Sequence, residues 1–310
     1  MNLFTQITES CQEVCKFSKN VKINYSVIDE LISSGVTIGK YWGESNIFGF
    51  LDLSIDKIVN FMLLYQSIGF SFWGNPKWTI ETDNNETYDG STALMYVFIS
   101  NIDFFSDFKK VENMTFDQFE GFMSGNTEIP LIYERYKILT SISKIVNTKM
   151  NGNFYEYIKD TVRDIDLINI LVDNFPSFKD TRTYNGKTVY FYKLASLLTS
   201  DILHARRIKE GIKVDYSHIS GCSDYKIPQV LRALNITEYS PKLSELIDSK
   251  TPILENDEME VEIRASVIEV ERYIVSKTNI CGIEVNDFLW LKSKDIKDSK
   301  PYHLTRTTTY

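Results

Sequence analysis

"GCSDYKIPQVLRALNI", residues 221–236, sets the reading of this chain. The first residues read as a turn. Asp224 stands where a helix would begin, and an amphipathic helix follows. An aspartate in that place commonly accepts hydrogen bonds from the free amides of the first helical turn, which contributes about 1 kcal/mol. The same carboxylate could instead do chemistry, and the two uses can coexist.

Helical periodicity continues outward from this stretch. In "LSIDKIVNFMLLYQSIGFSFW", Leu53, Ile55, Ile58, Val59, Met62 and Leu63 recur at helical spacing, with Ser54 as the expected cap. "MTFDQFEGFM" places Thr115 three residues before Gln118, the pattern of a capping box. "LIYERYKILTSISKIV" predicts one further helix and "FYEYIKDTVRDIDLINILVDNF" one or two. "MEVEIRASVIEVERYIV" is the clearest, with Val261, Ala265, Ile268 and Ile274 among its apolar positions. One segment breaks the pattern. "TRTYNGKTVYFY" carries Asn185-Gly186 between two β-prone runs, and Asn-Gly suits a turn in which both central residues take positive φ. A short strand near residues 75–82 is a weaker expectation. No repeat, low-complexity run or Pro/Gly/Ser-rich linker divides the chain. The expectation is a mostly α single domain over residues 1–310 with a small β-hairpin, in two helical lobes around a cleft.

Composition narrows the function. Of 310 residues, 43% are hydrophobic and 25% charged, which suits a globular protein with a large core. The net charge of −8 argues against gripping a long nucleic acid, which calls for a basic face. It favours a small substrate, especially one with a positive group. Aromatics at 13% leave some to stack on a flat ring. Cys11 and Cys15 lie one helical turn apart with no second ligand pair, so no metal is expected, and the four cysteines read as free thiols in a reducing cytoplasm. No stretch reaches the length of a membrane span, and no signal peptide is visible. Phosphate-cradling glycine loops, an H-E-x-x-H zinc motif and a nucleophile elbow are all missing. His204, His218 and His303 have no metal spacing. Chemistry must therefore come from carboxylates, Lys, Arg and aromatics.

Residues 223–236 are similar to one half of the helix-hairpin-helix DNA glycosylase arrangement, in which an aspartate opens a helix with basic, Val and Leu positions. Here these are Asp224, Lys226, Val230, Leu231 and Arg232, with Asn235 where a Gly would stand. The Gly-rich hairpin that grips DNA is missing from "SHISGCSD". A wider resemblance covers residues 10–310. "FPSFKDTRTYNGKTVYFYKLASLLTSDI", "SDYKIPQVLRALNI", "EVEIRASVIEVERYI", "VNDFLWLKSKD" and "PYHLTRTTTY" follow one another at familiar intervals. "FSKNVKIN", "YQSIGFSFW", "YDGSTALMYVF" and "LIYERYKIL" fit earlier blocks. Together they resemble the queuosine salvage protein family, the queuosine 5′-phosphate N-glycosylases.

That resemblance implies a helical fold related to the glycosylases. It also implies hydrolysis of the N-glycosidic bond of queuosine 5′-phosphate, no cofactor, and recovery of queuine for tRNA modification. Two departures stand out: Leu194 and Ala195 after Lys193, and "HLTR" in place of a more basic ending. They leave open the preference between the 5′-phosphate and the free nucleoside.

Asp224 and Asp201 are the candidate catalytic carboxylates. Glycosidic cleavage develops an oxocarbenium ion that a fixed negative charge stabilises. Asp201 lies among Leu197, Leu198, Ile202 and Leu203, where a carboxylate needs a partner; a plain helix aspartate is the simpler reading. Lys193, about two turns before Asp201, shares its helix face and is a candidate for ribose or phosphate. Phe72, Trp73 and Trp290 are stacking candidates that could equally be core. Asp89 is a site candidate or a turn residue. His303, Arg306 and Tyr310, in a tail that would ordinarily fray, are candidates for phosphate. The expected partner is a small nucleotide, queuosine 5′-phosphate or queuosine, with neither long nucleic acid nor membrane. The rivals are a binding protein for a modified nucleoside without catalysis and a base-excision nucleic-acid glycosylase.

Overall fold

The computed structural model describes residues 3–38, 41–82, 84–219, 221–296 and 299–310. Helices dominate it. The Ile55–Ser67 helix is buried at every position from Ile58 to Ser67. Ile132–Lys149 forms one helix, and residues 154–175 give two, Phe154–Ile158 and Asp164–Asn174. Thr115 makes the expected capping box with Gln118. Ser54 occupies the cap position of its helix, but its side chain makes no cap hydrogen bond.

The long Glu258–Lys277 helix organises the rest. It is buried all round from Glu260 to Glu271. It packs against the Leu3–Phe17, Tyr25–Ser33, Lys226–Ala233 and Gly282–Asp295 helices. Its apolar side chains enter the large core cluster through Val261, Ala265 and Ile268, a second through Val267, Val270 and Ile274, and a third through Ile263. A helix enclosed in this way must find partners indoors for its charges.

Strands are short and antiparallel. Thr181–Tyr184 pairs with Lys187–Tyr190, and the turn residues Asn185 and Gly186 have φ of 49° and 74°. The Asn-Gly reading is therefore realised in both sequence and geometry. Thr79–Glu81 pairs with Thr87–Asp89, within the region expected to hold a weak strand. The third pair, Val21–Ile23 with Thr237–Tyr239, joins distant parts of the chain and has no local turn signal.

Residues 301–310 run without helix or strand, yet they are tied down. The Ile253 amide donates to the Leu304 carbonyl at 2.8 Å and the Ser71 amide to that of Tyr310 at 2.9 Å. The Ser71 hydroxyl donates to the Thr307 carbonyl at 2.7 Å. Among the described residues, no helix is long and apolar enough to cross a membrane.

Candidate active site

Asp224 caps the Lys226–Ala233 helix. Its Oδ1 accepts from the amides of Lys226 at 2.7 Å and Ile227 at 3.0 Å. Pro228 falls in the first turn, where no amide donor is missed. Oδ2 accepts no hydrogen bond among the described residues, so one oxygen alone holds the backbone.

The segment leading to Asp224 is clamped from several helices. The Cys222 amide donates to Asn286 Oδ1 at 3.1 Å, and its thiol donates to the Lys193 carbonyl at 3.9 Å. Ser223 Oγ donates to the Arg264 carbonyl at 2.9 Å, while Arg264 Nε returns a bond to the Ser223 carbonyl at 3.1 Å. Arg264 in turn holds Asp180 through both guanidinium nitrogens, at 2.9 and 2.6 Å.

Asp201 lies on the Lys193–Glu210 helix and is 1% exposed. Oδ1 accepts from the Tyr41 hydroxyl at 3.0 Å and Trp42 Nε1 at 2.8 Å; Oδ2 accepts from Gln66 Nε2. Burial pushes its carboxyl up to about 6, against those hydrogen bonds and the charge of Lys193. Lys193 itself is buried and makes no ion pair among the described residues. Tyr41 stacks on His204 at 4.4 Å, and His204 stacks on Tyr216 at 4.9 Å. Burial disfavours the charged form of His204, so it works as an aromatic spacer.

Asp287, on the Gly282–Asp295 helix, lies within electrostatic reach of Asp201 and the Cys222 thiol. Burial first, then the charge of Asp201, pushes it up to about 7. Asp201 lies near Lys193 and Asp287, and Lys193, Asp224 and Asp287 all lie within reach of the Cys222 thiol, an acidic neighbourhood that suits a ligand with a positive group. A carboxyl titrating near neutrality in such a setting is a frequent mark of a functional site. Sequence reasoning passed over Asp287, although an acid inside the apolar run "VNDFLWL" was a signal. Tyr41, Trp42 and Gln66 gave none, because they meet Asp201 only through the fold.

The remaining candidates are spread wider. Phe72 is half-buried beneath the Arg135 guanidinium, 4.9 Å from its ring centroid, and Arg135 donates to the carbonyls of Ile68, Phe70 and Pro130. The Phe72 backbone meets the Tyr225 hydroxyl, next to Asp224. Trp73 is half-buried and Trp290 exposed. Asp89 is exposed and pairs with Lys77 at 2.9 Å. Lys226 lies over the Tyr302 ring at 4.8 Å, and Tyr302 packs on Tyr225 at 4.8 Å. Burial and then the nearby charge of Lys77 lower the pKa of Lys226. In the tail, His303 is buried and pushed down to about 3 by burial and the Arg264 charge. Tyr310 donates to Glu260 Oε1 at 3.0 Å and is 1% exposed. The structure turns these two into the core and leaves Arg306 exposed.

The chain is 32% identical over 266 residues to a protein of Sphaerobacter thermophilus named queuosine 5′-phosphate N-glycosylase/hydrolase, covering 82% of each. Proteins of the same name from Dictyostelium discoideum and Bos taurus are each 27% identical, over 100% and 82% of both chains. The family model described as queuosine salvage protein matches residues 51–310, which include every carboxylate of the acidic neighbourhood. With its residues 51–310 matched by the family model and a relative 32% identical over 82% of its length, the chain belongs to the queuosine salvage protein family.

Proposed function

We infer that this chain is a hydrolase that cleaves the N-glycosidic bond of queuosine 5′-phosphate and so serves queuine salvage. The bond between ribose C1′ and the base nitrogen breaks, water supplies a hydroxyl to C1′ and a proton to the base, and queuine and ribose 5-phosphate leave. The observation that carries this reading is the division of labour within Asp224: Oδ1 is fixed by two amides, and Oδ2 has no competing donor among the described residues.

The 7-deaza base has carbon where a purine has N7, so the usual position for protonating the leaving group is lost. More of the work falls on stabilising the ribosyl cation and activating water, which a fixed carboxylate does well. Asp224 takes that role. Asp287 holds a proton near neutrality and is assigned to the base. Asp201, already gripped by Tyr41, Trp42 and Gln66, is assigned to the pocket wall. Phe72 and Trp73 are assigned to stacking. Lys226, Lys193 and the exposed Arg306 are the cations assigned to the phosphate end. Four free cysteines fit a cytoplasmic setting.

Incubation with queuosine 5′-phosphate, followed by chromatography for free queuine, tests the reading. Release by the parent chain that is lost in Asp224→Asn supports it. Tight binding without release identifies a nucleoside-binding protein instead.

A further inference from the structure

Five charged residues lie on the enclosed stretch of the Glu258–Lys277 helix, and four have partners. Glu260 meets Arg182, Arg264 and Tyr310. Glu262 accepts from the Asn20 amide at 2.7 Å and from the Ser18 and Tyr184 hydroxyls at 2.8 Å each. Arg264 holds Asp180, and Glu269 holds Arg272. Glu271 differs. It is 1% exposed, and neither carboxyl oxygen has a hydrogen-bond partner among the described residues. The Gly221 amide is near enough to favour the charged form somewhat, but it does not complete a hydrogen bond.

Its position is specific. A Cβ built on Gly221 would fall inside the Glu271 carboxyl group, so the backbone of residue 221 rests directly on that side chain. Gly221 begins the segment that reaches Asp224 three residues later. Asn286, Lys193 and Arg264 hold residues 222 and 223, and Glu271 is what lies under residue 221. Among the described residues, no cation pairs with it. Asp224, Asp287 and the Cys222 thiol face it, and the Leu3–Phe17 helix brings only Phe4 and Thr8 to the adjoining cavity. Arg272, at the same cavity, gives its guanidinium to Glu269 at 2.7 and 2.8 Å.

We propose that Glu271 is a positioning residue for Asp224, acting as an uncharged acid on which the backbone of residues 221–224 is seated. Burial, then the charges of Asp224 and Asp287, raise its pKa well above the usual carboxylate range, in line with this role. An uncharged Glu271 also places no second negative charge beside Asp224. The role rests on the hydrolase reading, but one arm of its test does not.

The first arm measures turnover of queuosine 5′-phosphate, once the parent chain is shown to release queuine. Glu271→Gln keeps shape and neutrality and is expected to hold kcat within about threefold. Glu271→Ala removes the seat, and Gly221→Ala forces the carboxyl and the backbone apart. Both are expected to lower kcat by about ten- to a hundredfold with KM little changed, the scale of a catalytic group displaced by about 1 Å. A Gln variant as slow as the Ala variant, or an Ala variant at the parent rate, overturns the proposal. The second arm needs no substrate and covers variants that fold poorly. The unfolded chain releases the Glu271 proton above about pH 4.3, whereas the folded chain keeps it. The parent therefore loses stability as pH rises through that range, and Gln does not. Glu271→Gln is expected to melt with the parent near pH 4 and above it at pH 8. A parent more stable than the Gln variant at pH 8 would mean an ionised, paired Glu271 and would also overturn the proposal.

Discussion

Two charge clusters meet different stretches of the Glu258–Lys277 helix, one at Glu260 and Arg264 and one at Glu271, and they are built on different rules. Around Glu260 and Arg264, every charge has an answer. Arg264 chelates Asp180; Arg182 bridges Asp180 and Glu260 and reaches the half-exposed Glu255 at 2.8 Å; Tyr310, Thr307 and Thr309 bring the tail's hydroxyls to the same network. Around Asp224, Asp287 and Glu271, carboxyls crowd together without an ion pair among the described residues, and Lys226 is the cation beside Asp224. Burial works against Asp180, but Arg264 outweighs it and holds the carboxyl below its ordinary value. The same burial raises Asp201, Asp287 and Glu271, which pair with no guanidinium among the described residues. A balanced network locks a fold, whereas an unbalanced one is left for a ligand to complete.

The sharpest way to break this contrast is Arg264→Met. It leaves Asp180 and Glu260 buried with much of their compensation gone, and it cuts the bond to the Ser223 carbonyl. Removing one member of a buried ion pair costs about 3–5 kcal/mol. Urea unfolding is expected to show that loss, together with lost turnover. Asp224→Asn lies at the other end of the contrast. Asn caps nearly as well as Asp, so the urea midpoint should hold. Turnover should fall by about 10²- to 10³-fold, as when one electrostatic stabiliser is removed. If the Asn variant unfolds early and keeps its rate per folded molecule, Asp224 belongs with the structural charges.

Asp287→Asn tests the unbalanced side by pH. Its carboxyl, at about 7, is protonated below neutrality and ionised above. As the proton donor to the base it would support a high rate below pH 7 and a falling one above. The Asn variant should lose that inflection and drop by about 10²-fold on the acid side, at the low end for general acid catalysis. A rate profile that keeps its shape assigns the inflection to another group, with Asp201 at about 6 the next to examine.

Much of this was legible in the chain. Helical periodicity, the Asn185-Gly186 turn, the Thr115 capping box and the place of Asp224 all depend on residues within a few positions of one another, and local rules reach that far. The burial of His303 and Tyr310 was not legible. Their residue types suit phosphate, but they pack against Arg264 and Glu260, some 40 to 50 residues upstream. The pairing of residues 21–23 with 237–239 and the Tyr41, Trp42 and Gln66 grip on Asp201 are likewise long-range. Glu271 was within reach: an acid on a helix otherwise patterned for burial asks for a partner, and this one has none among the described residues.

The smallest expected effect concerns the phosphate. With His303 and Tyr310 turned inward, the cations left near Asp224 are Lys193 and Lys226, with Arg306 on the outer surface of the tail. Lys226 follows Asp224 by two residues and lies over the Tyr302 ring, so its ammonium is held close to the Asp224 carboxylate. Burial and Lys77 make its charge costly, and a phosphate would relieve that cost. A charge-assisted bond contributes about 1.5–3 kcal/mol, less where water competes. Lys226→Met is therefore expected to lower kcat/KM for queuosine 5′-phosphate by about tenfold while leaving the free nucleoside within about twofold. Equal losses on the two substrates would place Lys226 at the sugar or the base. A phosphate-selective loss in Arg306→Ala instead would return the phosphate to the exposed side of the tail, and the boundary between the balanced and unbalanced clusters would have to be redrawn there.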